Sequence, residues 1–305
     1  MAGGDNGHGM TGMVWKNIGI IGCNAINKDD SNDAGIDKIM KCLDFCNKAG
    51  AKITQNSYAI FDTPFSSALY EKFKFFGKVG LSIMAAGNRN ENIPASFYGT
   101  FPPKKPNNLP WPIQPSSYGP FLSADSAGSM INVGACGYCT VKDGLKSFIV
   151  APYSGYGRPY VDILATGGGP EFPYYCDAMI GPASKDSVMT KQAVIDKELI
   201  TGDGTNNDGW KTSLYIPVFG TSFASPLVAG TVAMIWARRP ALSNLQVKKI
   251  VLSTATSSPF YPLRYENEPG TGAGVADAST YGLLNVYKAL QCTEPQNFGQ
   301  SNCTV

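Results

Sequence analysis

The sequence predicts an α/β fold: a mostly parallel sheet with helices on both faces. Three observations predict it. In the first half, apolar runs of strand length alternate with stretches whose apolar residues recur at helical spacing. One such run, 79–86, is almost continuously apolar, as a strand covered on both faces has to be. The longest apolar stretch, Ser225 to Ala237, is about 13 residues; it is too short to span a bilayer and reads as a buried helix.

Taken in order, 18–26 (Ile-Gly-Ile-Ile-Gly-Cys-Asn-Ala-Ile) has the length and apolarity of a strand. Ser31, Asn32 and Asp33 offer caps for a helix whose inner face is Ile36, Ile39, Met40 and Leu43, with Gly50 at its end. The next strand is 53–59. Thr63-Pro64 opens a helix with Phe65, Ala68, Leu69, Phe73 and Phe76 on one face, proline being tolerated in the first turn. A third strand, 79–86, completes a β-α-β-α-β order, which implies parallel strands joined by right-handed crossovers. Eight prolines between Pro94 and Pro120 then mark an irregular insertion over 92–122. Strands resume at 130–135 and 161–165. The polar stretch 167–213 reads as a second, solvated loop insertion. A helix follows over 222–238, and Ser243-Asn244-Leu245-Gln246 is a capping box for another, with Val247, Ile250 and Val251 inward. There is no repeat and no linker, so residues 1–305 read as a single domain.

Composition narrows the function. Charged residues are only 16% of the chain and the formal charge is +2, without a basic block, which argues against electrostatic nucleic-acid binding. Hydrophobic residues at 43% can build a sizeable core. The 34 glycines and 21 prolines point to many turns. Eight cysteines with one histidine suit disulfides in an oxidising compartment better than a zinc site, and Cys292–Cys303 is the pair expected to bridge first. Asn302-Cys303-Thr304 is a glycosylation sequon, a triplet that also arises by chance. The first eight residues are polar and Gly-rich, unlike a signal peptide, so the natural N-terminus is expected upstream.

The chemically informative segment is Gly220-Thr221-Ser222-Phe223-Ala224-Ser225-Pro226-Leu227-Val228-Ala229-Gly230. A serine at the start of an apolar helix lies at the positive end of the helix dipole, beside backbone N–H groups with no helical partner. On that physics alone Ser222 is either a cap or a nucleophile. The segment resembles the nucleophile signature Gly-Thr-Ser-x-Ala-x-Pro-x-Val-Ala-Gly of the subtilisin-like serine peptidases. The resemblance runs in order along nearly the whole chain. Asp5-Asn6-Gly7-His8-Gly9 is similar to the family's histidine segment, and Ala85-Ala86-Gly87-Asn88 to its oxyanion segment. The 18–22 run resembles the strand after the histidine, and 281–286 the closing strand-like segment.

The resemblance implies a subtilisin-like fold and a serine endopeptidase. Ser222 would attack the scissile carbonyl, His8 would act as general base, and Asn88 with the Ser222 N–H would hold the oxyanion. Residues 53–59 resemble the strand that pairs with substrate backbone, making Ser57, Tyr58 and Ala59 binding candidates together with Gly87, Thr221 and Arg89. Arg89 would sit at the rim of the first specificity pocket. The implied partner is a polypeptide, with no cofactor, no metal, no nucleic acid and no membrane. The protein is expected to be a monomer in a secreted, secretory or vacuolar location.

The pattern also departs from the family. The triad order is Asp, His, Ser, with the aspartate on a strand well before the histidine, and only seven residues precede His8. The strand bearing that aspartate is expected to be missing from this chain. Asp5 matches the acidic residue ahead of the histidine, which is not the triad member, and Asp162 matches another strand. Met10 stands where the family has threonine. The 8–19 segment is short, so no calcium site is carried over. An impaired or inactive relative that binds peptides through the same groove is the alternative. A nucleotide-binding reading of Gly270-Thr271-Gly272-Ala273-Gly274 fails, because no third glycine follows at the required spacing and no clear strand precedes it.

Overall fold

The computed structural model describes residues 11–14, 16–25, 35–58, 66–88, 128–142, 145–151, 153–157, 161–168, 179–182, 200–201, 214–256, 279, 281–299 and 303. The main sheet contains β1 (Ile53–Asn56), β2 (Leu81–Ala85), β3 (Met130–Lys142), β4 (Leu145–Val150) and β5 (Ile163–Thr166). β1, β2, β3 and β5 are parallel in that spatial order, and β4 folds back antiparallel on the far half of β3. The parallel sheet expected from the alternating pattern is therefore present.

Both faces are covered, as the nearly continuous apolar character of β2 requires; all five of its residues are buried. On one face lie α1 (Ile36–Lys48) and α2 (Ser67–Phe76), which supply Ile39, Leu43, Leu69 and Phe73 against Met84 and Met130. On the other lies α3 (Thr221–Arg238), backed by α4 (Asn244–Ser253) and α5 (Val286–Gln291). Strand alternation decides the split: Leu81 and Ile83 face α3, whereas Met84 faces α1 and α2. Val228, Val232 and Ile235 of α3 are fully buried, each contributing about 1.5–3 kcal/mol of apolar burial. The Ser243–Gln246 capping box is formed in full. Ser66 caps α2 by accepting from the Leu69 N–H, and positions 63–65 lie outside the described residues.

Three expectations change. Residues 18–25 form no strand, and Ile20 is 65% exposed. A strand needs a neighbour to complete its ladder, but between this segment and the outer edge of β1 lies a cavity of about 820 Å³, lined in part by Ile18, Ile53, Gln55 and Trp236. The 167–213 stretch is not simply a loop. It holds β6 (Met179–Pro182) and β7 (Ile200–Thr201), which flank β8 (Leu214–Val218) in a small antiparallel sheet. β3 also runs past the expected 130–135, because β4 gives its second half a partner. The 92–122 insertion lies outside the described residues. Cys292–Cys303 is bridged as expected, and Cys23–Cys42 forms a second disulfide. Loops of this length contribute roughly 3 kcal/mol by constraining the unfolded chain. Among the described residues, no helix is long and apolar enough to cross a membrane.

Asp162 sits at the start of β5, buried, with Oδ2 accepting from the Asn132 N–H at 2.8 Å. This is the N-terminal edge of the parallel strands, opposite the end of β2 that leads to Asn88, so Asp162 has no part in a site at Ser222. Burial pushes its carboxyl up, against the opposing pull of Lys248 and the Asn132 N–H. A folded value above the unfolded one stabilises the protein at pH below about 3.9 and loses that contribution as pH rises through the folded value. Asp162→Asn keeps an acceptor for the Asn132 N–H. It is expected to flatten the fall in unfolding free energy with rising pH, measured by chemical denaturation between pH 4 and 7.5; parallel curves for the two proteins would contradict the assignment.

Candidate active site

The site forms where β2 ends and α3 begins, at the C-terminal edge of the parallel sheet. β2 continues into Ala86, Gly87 and Asn88. Gly87 adopts φ +99°, and Asn88 emerges exposed. Its Oδ1 accepts from both the Thr221 N–H and the Thr221 hydroxyl, each at 2.8 Å. A backbone N–H can only donate, so the carboxamide must present its oxygen to Thr221, which leaves Nδ2 as the donor for anything else. Thr221 Oγ1 in turn accepts from the Gly87 N–H at 3.1 Å. Residues 133 apart in sequence are thereby locked together beside Ser222, the second residue of α3.

Gly220 makes the entry to α3 possible. Its φ of +143° is one that side-chain-bearing residues rarely adopt, and a Cβ there would stand 3.1 Å from Asn88 Nδ2. Ser222 is half-buried at the helix N-terminus, where backbone N–H groups concentrate partial positive charge.

Pro226 explains a second contact. In a regular helix the N–H of residue 226 would bond the Ser222 carbonyl, and proline has none. The hydroxyl of Ser57, just past the end of β1, donates to that carbonyl instead at 3.1 Å. Ser57 Oγ also lies 3.0 Å from Ser225 Oγ and accepts from Gln55 Nε2, which reaches Ser225 Oγ at 2.8 Å. Gln55 and Ser225 are site residues that the motif comparison missed. The proline inside the helix signals only the Ser222 carbonyl that Ser57 satisfies; Gln55 and Ser225 enter through their bonds to the Ser57 hydroxyl and to each other.

Of the sequence candidates, Asn88, Gly87, Thr221, Ser222 and Ser57 come together. Tyr58 points its ring to the α1–α2 face and donates to Asn56 Oδ1 at 3.0 Å. His8, Ala59 and Arg89 lie outside the described residues, as does Asp5. No cluster of three or more His, Cys, Asp or Glu able to hold a metal occurs among the described residues.

Ser57→Ala would leave the Ser222 carbonyl without its donor. An expected loss of about 1 kcal/mol of stability, the scale of one hydrogen bond at a partly buried carbonyl, can be read by urea denaturation. No change would mean that water replaces the hydroxyl freely.

The comparisons with known proteins bear on the family and the fold. A model of the subtilase family matches residues 1–282. A 77-residue stretch is 40% identical to mycosin-4 of Mycobacterium tuberculosis, covering 25% of this chain and 16% of that protein. Among solved structures, a lanthipeptide protease superposes with a TM-score of 0.56 at 18% identity, over 88% of this chain and 69% of its own. The subtilase cytotoxin SubAB structure gives a TM-score of 0.57 at 17% identity, over 89% and 69%. Fervidolysin from Fervidobacterium pennivorans, described as a keratinolytic enzyme related to subtilisin, gives a TM-score of 0.50 at 20% identity, over 86% and 30%. At such identities the superpositions speak for the fold alone.

Proposed function

Because the chain belongs to the subtilase family, a family of serine peptidases, we propose that it is an endopeptidase working through an acyl-enzyme on Ser222. The observation that carries this reading is the lock between Asn88 and Thr221, which sets a free amide donor beside the first turn of α3. Ser222 Oγ attacks the scissile carbonyl while His8 accepts the hydroxyl proton. The resulting oxyanion is held by Asn88 Nδ2 and the Ser222 N–H. Collapse expels the amine, which takes the proton from His8. Water then attacks the ester, giving up a proton to His8, and as the acid leaves His8 returns that proton to Ser222 Oγ.

An extended substrate would lie along 57–59 and 87–89, with main-chain groups making the pairing. The inward-turned ring of Tyr58 supports a main-chain role at that position. The two disulfides among the described residues support an oxidising, secretory-type compartment.

A fluorophosphonate is expected to label the protein at Ser222, read by mass spectrometry of the tryptic peptide, and Ser222→Ala should abolish it. Asn88→Ala should lower kcat on an unstructured polypeptide about 10²–10³-fold with little change in KM, as loss of one oxyanion donor does. Absence of labelling would favour the other reading, a peptide-binding relative without catalysis.

Arg89, one residue past the oxyanion asparagine, is proposed as a pocket-rim charge that favours an acidic residue before the cut. Exposed pairs of this kind are worth about 0.2–1 kcal/mol, so the preference is a few-fold. Arg89→Glu should raise the ratio of cleavage after Lys to cleavage after Glu in matched peptides, more at low salt than at high. An unmoved ratio would leave Arg89 a solvated loop charge.

A further inference from the structure

The turn that delivers Ser222 is held from two sides. Asn88 grips Thr221. The other grip falls on Gly220 and comes from Tyr153, in the loop after β4, which the sequence motifs do not single out. The Tyr153 hydroxyl accepts from the Gly220 N–H at 3.0 Å and shares its own proton between the carbonyls of Gly167 and Gly168, at 2.7 and 2.6 Å. The Gly220 N–H also reaches the Gly167 carbonyl at 2.8 Å. These segments pass so closely that a Cβ on Gly167 would stand 2.9 Å from the Gly220 carbonyl and 3.0 Å from the tyrosine oxygen. The ring itself packs against Phe219, with centroids 5.5 Å apart.

The same loop reaches the oxyanion segment. Ser154 is fully buried; its hydroxyl accepts from the Ala135 N–H on β3 and donates to the Gly155 carbonyl, both at 2.8 Å. The Gly155 N–H then donates to the Gly87 carbonyl at 2.8 Å. One short loop, pinned to the central sheet, therefore touches the residue before Asn88 and the turn before Ser222.

We propose that Tyr153 is a positioning residue: its hydroxyl fixes the Gly220 turn, so that the loop sets the spacing between the Ser222 nucleophile and the Asn88 donor. This rests on the reading of Ser222 as nucleophile. Burial keeps the phenol protonated, its ionisation pushed well above the ordinary tyrosine range, so it remains a donor at any working pH. Misplacement of a reacting group lowers the rate of the bond-forming step while leaving ligand binding largely intact.

Tyr153→Phe removes one oxygen and keeps the ring. Saturable fluorophosphonate labelling separates encounter affinity from the rate constant of phosphonylation at Ser222. The variant should lose roughly three- to tenfold in that rate constant, the scale of one hydrogen bond, at unchanged affinity. Amide exchange at Gly220 should quicken. An unchanged rate constant overturns the proposal, whether or not thermal stability falls, because Tyr153 would then be merely structural. An unfolded variant overturns it equally, since deleting a hydroxyl should not undo ring packing. If the wild type does not label, the assignment of Ser222 falls and exchange at Gly220 decides the clasp alone: faster exchange in Tyr153→Phe supports it, and unchanged exchange overturns it.

Discussion

Two hydrogen bonds from Thr221 to the side-chain oxygen of Asn88 join the end of the second sheet strand to the start of α3, the longest helix among the described residues. That helix is apolar on nearly every side, with Val228, Val232 and Ile235 fully buried, so its axis is fixed by the core. Its end, however, opens on a glycine at φ +143° that imposes no direction of its own. The Asn88 carboxamide supplies the direction and in doing so turns its own nitrogen outward. The contact that orders the helix end is thus the one that prepares a donor beside Ser222. In the proposed peptidase reading, this contact sets a charge-stabilising dipole in place before substrate binds.

The rest of the fold keeps that end in register. The Ser57 hydroxyl replaces the helical bond that Pro226 cannot make, so the proline gives the strand edge a hold on the Ser222 carbonyl. Tyr153 and Gly155 do the same from the other side, one at Gly220 and one at Gly87. Covering both sheet faces leaves little freedom at these attachments, because packed interiors resist small displacements. The outer edge of β1 is different. There a cavity of about 820 Å³ separates the strand from residues 17–25, and the sheet has no further ladder on that side among the described residues.

Much of this was legible in the residues. The apolar run at 79–86 foretold a strand buried on both faces, and β2 is buried at every position. The Ser243–Gln246 capping box and the Cys292–Cys303 bridge needed only local spacing. Over 18–25 the apolar run forms no strand, because apolarity declares a preference for burial, whereas a strand needs a neighbouring edge that no single segment can announce. β6 and β7 were hidden for a related reason: strands of four and two residues are too short to show alternation and are defined by their pairing with β8. The family motif singled out Ser222 and Asn88, which the structure brings to the same end of the sheet. It could not reveal Tyr153, whose hydroxyl matters only through carbonyls that lie distant in sequence.

The central claim is that Asn88 and the start of α3 form one pre-set oxyanion site. An experimental structure of the protein carrying a phosphonate on Ser222 tests it most directly. The account predicts a phosphonyl oxygen within about 3 Å of both Asn88 Nδ2 and the Ser222 N–H, with the Asn88 Oδ1 bonds to Thr221 intact. A phosphonyl oxygen turned to solvent, or an Asn88 side chain released from Thr221 and more than about 10 Å from Ser222, would contradict it.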